Sequence, residues 1–215
     1  MSSVAERRAA RAEGRASLRE AARDALQLLA DATAALSGTP LESEGQRLSY
    51  LMAVTAMRSL WAAWELMAQG YHVQAATVLR SALEYWAAAV YLWQRPEGAL
   101  PWLAASPRQR PAPQELAAAL PRPSARRWRR SYRRLSQVAQ PRLRALLAAL
   151  EEAHHDPLKE GGGAAQAEAV AAEAGSTALA MLETVPLLAR AVEREPALKG
   201  RLQALRQRLQ EALSD

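Results

Sequence analysis

Apolar residues occupy almost every position of the segment from Gly70 to Leu92, GYHVQAATVLRSALEYWAAAVYL. A helix that is apolar on all sides is buried in a core or in a membrane. Arg80 and Glu84 lie one helical turn apart near its middle, and burying a charge is costly unless the charge is paired. The pattern therefore predicts a buried helix with an ion pair, which is either architectural or presented to a ligand or partner.

Apolar residues with helical spacing on both sides of this segment predict an all-α protein, a bundle of about six or seven helices. A basic N-terminal tail over residues 1–16 precedes one helical-bundle domain over residues 17–215. The first helix is predicted at about Ser17 to Leu36 and the second at about Glu42 to Gln69. Because Gly70 leaves almost no connection to the next helix, the two long helices are expected to form an antiparallel hairpin.

Prolines divide the second half of the chain. Pro96 ends the hairpin, and a Pro-rich surface excursion over residues 96–123 is predicted to hold one short helix near Gln114–Leu120. Further helices are predicted at about 124–140 with Ser124 as N-cap, at 141–154, at 164–194 with a kink at Pro186, and at 196–213. Tryptophans 61, 64, 86 and 93 are predicted to form the main core.

Composition narrows the class of protein. Cysteine, isoleucine, phenylalanine and asparagine are absent, and lysine occurs only at Lys159 and Lys199, a bias typical of a GC-rich bacterial genome. Without cysteine there is neither a disulfide nor a thiolate metal site. The start of the chain has no apolar signal segment, and both apolar stretches of the hairpin contain charges, such as Arg58 and Glu65 in the first. These features favour a cytoplasmic protein without a membrane partner.

Positive charge is concentrated in one part of the chain. Between Arg108 and Arg144 there are eleven arginines and one acid, Glu115, although the net charge of the chain is only +6. Six arginines share the helix of Trp128 and Tyr132: Arg126, Arg127, Arg129, Arg130, Arg133 and Arg134. They are typical of a nucleic-acid interface, a contact with a protein or second subunit, or a solvated face, while the two aromatic residues fit the core.

Evidence for catalysis or a metal is weak in the sequence. Glu151 and His154, like Glu152 and His155, have the three-residue spacing of helical metal ligands, but a di-iron bundle needs two separate pairs of this kind. Neither a phosphate loop nor a nucleophile elbow is present. We therefore expect no cofactor and no bound metal.

Two segments together resemble a bacterial helical-bundle family of unknown function that is distantly similar to HEPN domains. The first is the Leu-Arg-Ser-x-x-Glu pattern that contains Arg80 and Glu84, and the second is YRRLSQVAQP, which begins at Tyr132. The resemblance covers about residues 50–150. It implies an all-helical bundle in which Arg80, Glu84, Tyr132 and Ser136 line a common polar centre.

Active HEPN ribonucleases are dimers that place an arginine and a histidine, four to six residues apart, in the dimer cleft. Here Gln140 stands where that histidine is expected, and glutamine does not act as a general acid or base near neutral pH. The sequence thus predicts a non-catalytic bundle that binds through a site formed by Arg80, Glu84, Tyr132, Ser136 and Gln140. The expected occupant is a partner protein or a small polar ligand, in a homodimer. The alternative is a HEPN-like nucleic-acid-binding protein or ribonuclease with a role in defence.

Overall fold

The structure, a computed structural model, describes residues 4–106, 109–139 and 163–214. Over these ranges it contains nine α-helices, one short 3-10 turn at Pro96–Gly98 and no strand, which confirms the predicted all-α class. The helices are α1 (Val4–Ala34), α2 (Glu44–Ala68), α3 (His72–Gln94), α4 (Ala99–Ala104), α5 (Pro113–Ala118), α6 (Arg122–Ala139), α7 (Gly163–Thr184), α8 (Pro186–Arg194) and α9 (Pro196–Ser214). The helix predicted at 141–154 lies outside the described residues.

Helices α2 and α3 form the predicted antiparallel hairpin. Gly70 has a φ of +87°, a left-handed conformation that glycine adopts without steric cost, and it reverses the chain between the two helices. The buried hydroxyl of Ser49, near the start of α2, donates to the carbonyl oxygen of Ala89, near the end of α3, at 2.7 Å. At the open end of the hairpin, Gly45 lies against Pro96, where a Cβ atom would come within 2.4 Å of the proline Cα.

Two predicted helix starts are wrong. Helix α1 begins at Val4, so most of the segment predicted as a tail is helical, because alanine, arginine and glutamate are strong helix formers. Helix α6 begins at Arg122, and Ser124 therefore lies inside its first turn rather than at its N-cap. The carbonyl oxygen of Pro121 accepts from the backbone N–H of Ala125 at 2.8 Å, which makes Pro121 the capping position.

In the Pro-rich segment over residues 96–123, the short helix predicted near Gln114–Leu120 is α5, and several described side chains of the segment pack against the bundle. The segment contains the 3-10 turn and helices α4 and α5, and the side chains of Trp102, Leu116 and Leu120 are buried. The side-chain amide of Gln94, at the end of α3, donates to the carbonyl oxygen of Ala119 at 2.9 Å. The segment thereby leads the chain from the end of α3 to the start of α6.

The helix predicted at 164–194 is two helices. The chain leaves helical geometry at Val185, and Pro186 begins α8 because proline is tolerated in the first turn of a helix but not in its interior. The break turns α8 away from the line of α7. Pro196 begins α9 in the same way, after an extended residue at Glu195.

The core differs from the predicted tryptophan cluster. Among those four tryptophans only Trp86 is fully buried, and its indole N–H donates to the hydroxyl of Thr184 at 2.8 Å, whereas Trp61, Trp64 and Trp93 are half-buried at the edge. Much of the core consists of alanine and leucine side chains from α1, α3 and α7. Small residues let α1 and α7 approach closely, and a Cβ atom on Gly175 would lie 2.7 Å from the Cα of Ala22.

Ion pairs hold the last helix against the bundle. On α9, Arg201 pairs with Asp31 at 2.7 Å, Arg208 with Asp24 at 2.8 Å, and Arg206 with Glu183 of α7 at 2.9 Å. These side chains are partly exposed, so the pairs orient α9 more than they stabilise the fold.

Across the described ranges, no helix is both long enough and apolar enough to cross a membrane.

Candidate functional site

Helices α3 and α6 meet in a polar contact that we call the α3/α6 seam, formed by Arg80, Glu84, Trp128, Tyr132 and Ser136. Trp128 donates its indole N–H to the carbonyl oxygen of Leu83 at 2.8 Å, and Tyr132, one turn later on α6, contacts both Glu84 and Arg80. Ser136 follows Tyr132 by one turn, so the two residues share a face of α6.

Tyr132 is the centre of the seam. Its hydroxyl donates to Oε1 of Glu84 at 2.8 Å, and the guanidinium carbon of Arg80 lies 5.7 Å from the centroid of its ring. The ring also stacks on Trp128, with 4.5 Å between centroids and 9° between planes. The predicted direct ion pair is wrong: among the ion pairs of the described residues none joins Arg80 to Glu84, because Tyr132 lies against both side chains.

Burial is the main reason that the tyrosine keeps its proton. Burial first, and then the hydrogen bond to Glu84 and the charge of that carboxylate, together raise the pKa of Tyr132 from 10.0 to about 12, while Arg80 opposes the rise. Between these two pH values the folded chain holds a proton that the unfolded chain releases. The contribution of Tyr132 to stability is therefore complete below pH 10.0 and is lost as the pH rises towards about 12.

A spectroscopic titration checks this environment. We expect one phenolate to appear only near pH 12 in the ultraviolet absorbance of the folded protein, with circular dichroism recorded at each pH to confirm folding. Tyr132→Phe should remove this late step, and Tyr71→Phe, at an exposed position, should retain it because Tyr132 is still present. Loss of the late step in both variants, or in neither, would contradict the assignment.

Two polar atoms of the seam have no hydrogen-bond partner. Nε of Arg80 and Oγ of Ser136 are both buried, and neither donates or accepts within the described part of the chain. Three of the five predicted ligand-binding residues, Arg80, Glu84 and Tyr132, thus meet at the ring of Tyr132, and Ser136 lies one turn farther along α6. The fifth, Gln140, lies outside the described residues, and ligand binding at the seam stays a prediction.

A buried acid on α7 divides the predicted arginine cluster in two. The carboxylate of Glu173 is only 6% exposed, and it accepts from Arg134 at 2.5 Å and lies 3.8 Å from Arg127. Burial lowers the pKa of Arg127, and the Glu173 charge is the largest influence that opposes this shift. We call these three side chains the Glu173 clamp, which joins α6 to α7 and gives two arginines of the cluster an acidic partner.

The remaining arginines of α6 form a continuous outer face, which also includes Arg122 at the start of the helix. Five exposed side chains belong to it: Arg122, Arg126, Arg129, Arg130 and Arg133. At 3.6 residues per turn they fall within an arc of about 100° and extend over about 16 Å of helix. Within the part of the chain that the structure describes, none of the five has an acidic partner, and α6 itself contains no acid.

A depression borders this outer arginine face. Its volume is about 330 Å³, and it lies between the end of α5 and the first turns of α6, where Arg122, Arg126 and Arg129 line it beside Leu120. The arginines on this side therefore edge a concave surface, which gives an anionic group more than one guanidinium within reach.

The histidines do not form a metal site in the described ranges. His72 is buried on α3, its Nδ1 has no partner, and burial, assisted by Arg19, lowers its pKa. No group of three or more histidines or carboxylates with ligand geometry occurs among the described residues. The pairs that end at His154 and His155 lie outside them.

Fold and site together define an all-α helical bundle whose basic helix α6 is fastened by the seam on one side and by the Glu173 clamp on the other. No family model matches the chain, and no curated protein or solved structure is significantly similar to it.

Proposed function

We propose that this chain is a non-catalytic binding protein whose outer arginine face takes the phosphate backbone of a nucleic acid. The observation that carries the proposal is the set of five exposed arginines on α6 that have no acidic partner among the described residues. Like charges this close repel one another, and an external polyanion relieves the repulsion.

The length of the face fits a phosphate backbone. Five arginines extend over about 16 Å of helix, and duplex DNA carries one phosphate for about every 1.7 Å of its axis, so several phosphates lie within the length of the face. A guanidinium also matches the geometry of phosphate oxygens with two parallel hydrogen bonds. An acidic protein would need its carboxylates arranged at the same interval, which makes it the less favoured partner.

Recognition of bases by stacking is not supported by α6. Trp128 is fully buried, and Tyr132 is engaged by Trp128 and Glu84, so neither aromatic residue of the helix presents a free ring face. Binding is therefore proposed to depend on the backbone and to show little preference for sequence. In this proposal the seam and the Glu173 clamp position α6.

The test is the salt dependence of binding to a fluorescently labelled DNA duplex, measured by anisotropy. If all five arginines neutralise phosphates, log K should fall with log salt with a slope of about −4.5. Replacing Arg129 and Arg130 with glutamine should make the slope shallower by about 1.8. Both residues are exposed and form no ion pair with any residue that the structure describes, so the fold should be unaffected.

A matched control separates the face from net charge. Arg201→Gln together with Arg208→Gln removes the same charge from α9, where both arginines already pair with acids of α1, and should leave the slope unchanged. Equal slopes in the wild type and the α6 variant would overturn the proposal. Degradation of a labelled RNA strand in the same assay would favour the HEPN-like ribonuclease alternative over a non-catalytic role.

A further inference from the structure

A second concave site lies away from α6, where the connection between α1 and α2 meets the end of α3 and helix α8. This cleft has a volume of about 260 Å³. Its apolar wall contains Leu36, Leu187 and Trp93, and its charged lining residues are Glu42, Arg190 and Arg194. None of these residues takes part in the seam, the Glu173 clamp or the outer arginine face.

The two arginines of the cleft are free to bind an anion. Arg190 and Arg194 lie one turn apart on α8, and neither has an acidic partner among the described residues, unlike the paired arginines of α9. The guanidinium carbon of Arg190 lies 5.1 Å from the centroid of the Trp93 ring. That contact orients Arg190 beside the apolar wall.

The lining determines the chemistry of an occupant. Two guanidinium groups and the carboxylate of Glu42 leave one net positive charge, which matches a single carboxylate better than a phosphate dianion. Leu36 and Leu187 are buried and Trp93 is half-buried, so the wall suits an apolar body. The volume is below the range of about 300–1,000 Å³ that is usual for drug-sized ligands, which indicates a small molecule.

We propose that this cleft is a binding site for a small organic monocarboxylate, with the carboxylate on Arg190 and Arg194 and a compact apolar body against Leu36, Leu187 and Trp93. An arginine that binds a carboxylate forms up to two parallel, charge-assisted hydrogen bonds. The site is independent of the nucleic-acid proposal, because the cleft and α6 share no residue.

Isothermal titration calorimetry with benzoate tests the site, and benzamide serves as the neutral probe of the same shape. We expect benzoate to bind at least tenfold more tightly than benzamide. Arg194→Gln should weaken benzoate binding at least tenfold, and Arg130→Gln, which removes an exposed and unpaired arginine from α6, should leave it unchanged. In the DNA-binding assay the opposite result is expected: Arg130→Gln should make the salt dependence of DNA binding shallower, and Arg194→Gln should leave it unchanged.

Three outcomes would overturn the proposal: no binding of benzoate, equal binding of benzoate and benzamide, or benzoate binding that survives Arg194→Gln. Because Arg194 is exposed at the last position of α8, its replacement should not unfold the chain. A wild-type melting curve for the variant confirms that any loss belongs to the site.

Discussion

Replacing Trp128 with alanine is expected to lower the free energy of unfolding by about 3–5 kcal/mol, the usual range for deleting a buried tryptophan. The side chain is 0% exposed, stacks on Tyr132 and donates its indole N–H to Leu83 at 2.8 Å. Its removal leaves a cavity between α3 and α6 and deprives the tyrosine of its stacking partner. Urea denaturation followed by circular dichroism measures the loss.

Trp64→Ala is the matched control for this prediction. Trp64 lies half-buried on α2, so the same truncation should remove less buried surface and reduce stability by a smaller amount. If both variants lost the same stability, Trp128 would not be the anchor of α6. Trp128→Phe keeps an aromatic ring, and an intermediate loss is expected for it.

Gly175→Ala is expected to destabilise the chain by about 1–3 kcal/mol, although alanine is the better helix former. The new Cβ atom would lie 2.7 Å from the Cα and 2.8 Å from the Cβ of Ala22. A rotamer change cannot relieve a contact with backbone, so α1 and α7 must move apart and lose packing between their small side chains. The melting temperature should fall accordingly.

Gly200→Ala supplies a control of opposite sign. Gly200 lies within α9, and a Cβ atom at this position would meet nothing within 4 Å. The substitution should therefore stabilise the chain by up to about 1 kcal/mol through helix propensity alone. If Gly175→Ala gained stability as Gly200→Ala does, α1 and α7 could move apart without a loss of stability, and the prediction would be wrong.

Local signals in the sequence predicted the hairpin well. Gly70 permits the positive φ that ends α2, and Pro96 prevents α3 from continuing. Both effects are local, so the ends of the two helices can be predicted from the sequence. The predicted start of α6 is wrong because serine is a common N-cap residue, and the sequence therefore indicates Ser124 as the N-cap. The helix instead starts before it, with Pro123 in the first turn, where proline is tolerated.

The candidate site could not be predicted from residue spacing within one helix, because it is formed by contacts between residues that are far apart in the sequence. Arg80 and Glu84 have the i, i+4 spacing of an ion pair, yet Tyr132, 48 residues beyond Glu84, takes the carboxylate. The split of the α6 arginines likewise depends on Glu173, which lies 39 residues beyond Arg134. Nothing in the sequence distinguishes Glu173 as a buried partner, since it is one of three glutamates in the Ala-rich helix α7.

Glu173 has opposite effects on two properties of the protein: its ion pairs hold α6 against α7, and its negative charge weakens the positive potential that attracts anions to α6. Its carboxylate pairs with Arg127 and Arg134, so five of the seven arginines of α6 are left without an acidic partner among the described residues. A chain that lost this acid would hold α6 less firmly and would present a denser positive field. Loss of this acid would therefore raise the affinity for a polyanion and lower the melting temperature. Selection for higher thermal stability would keep the acid and so limit that affinity.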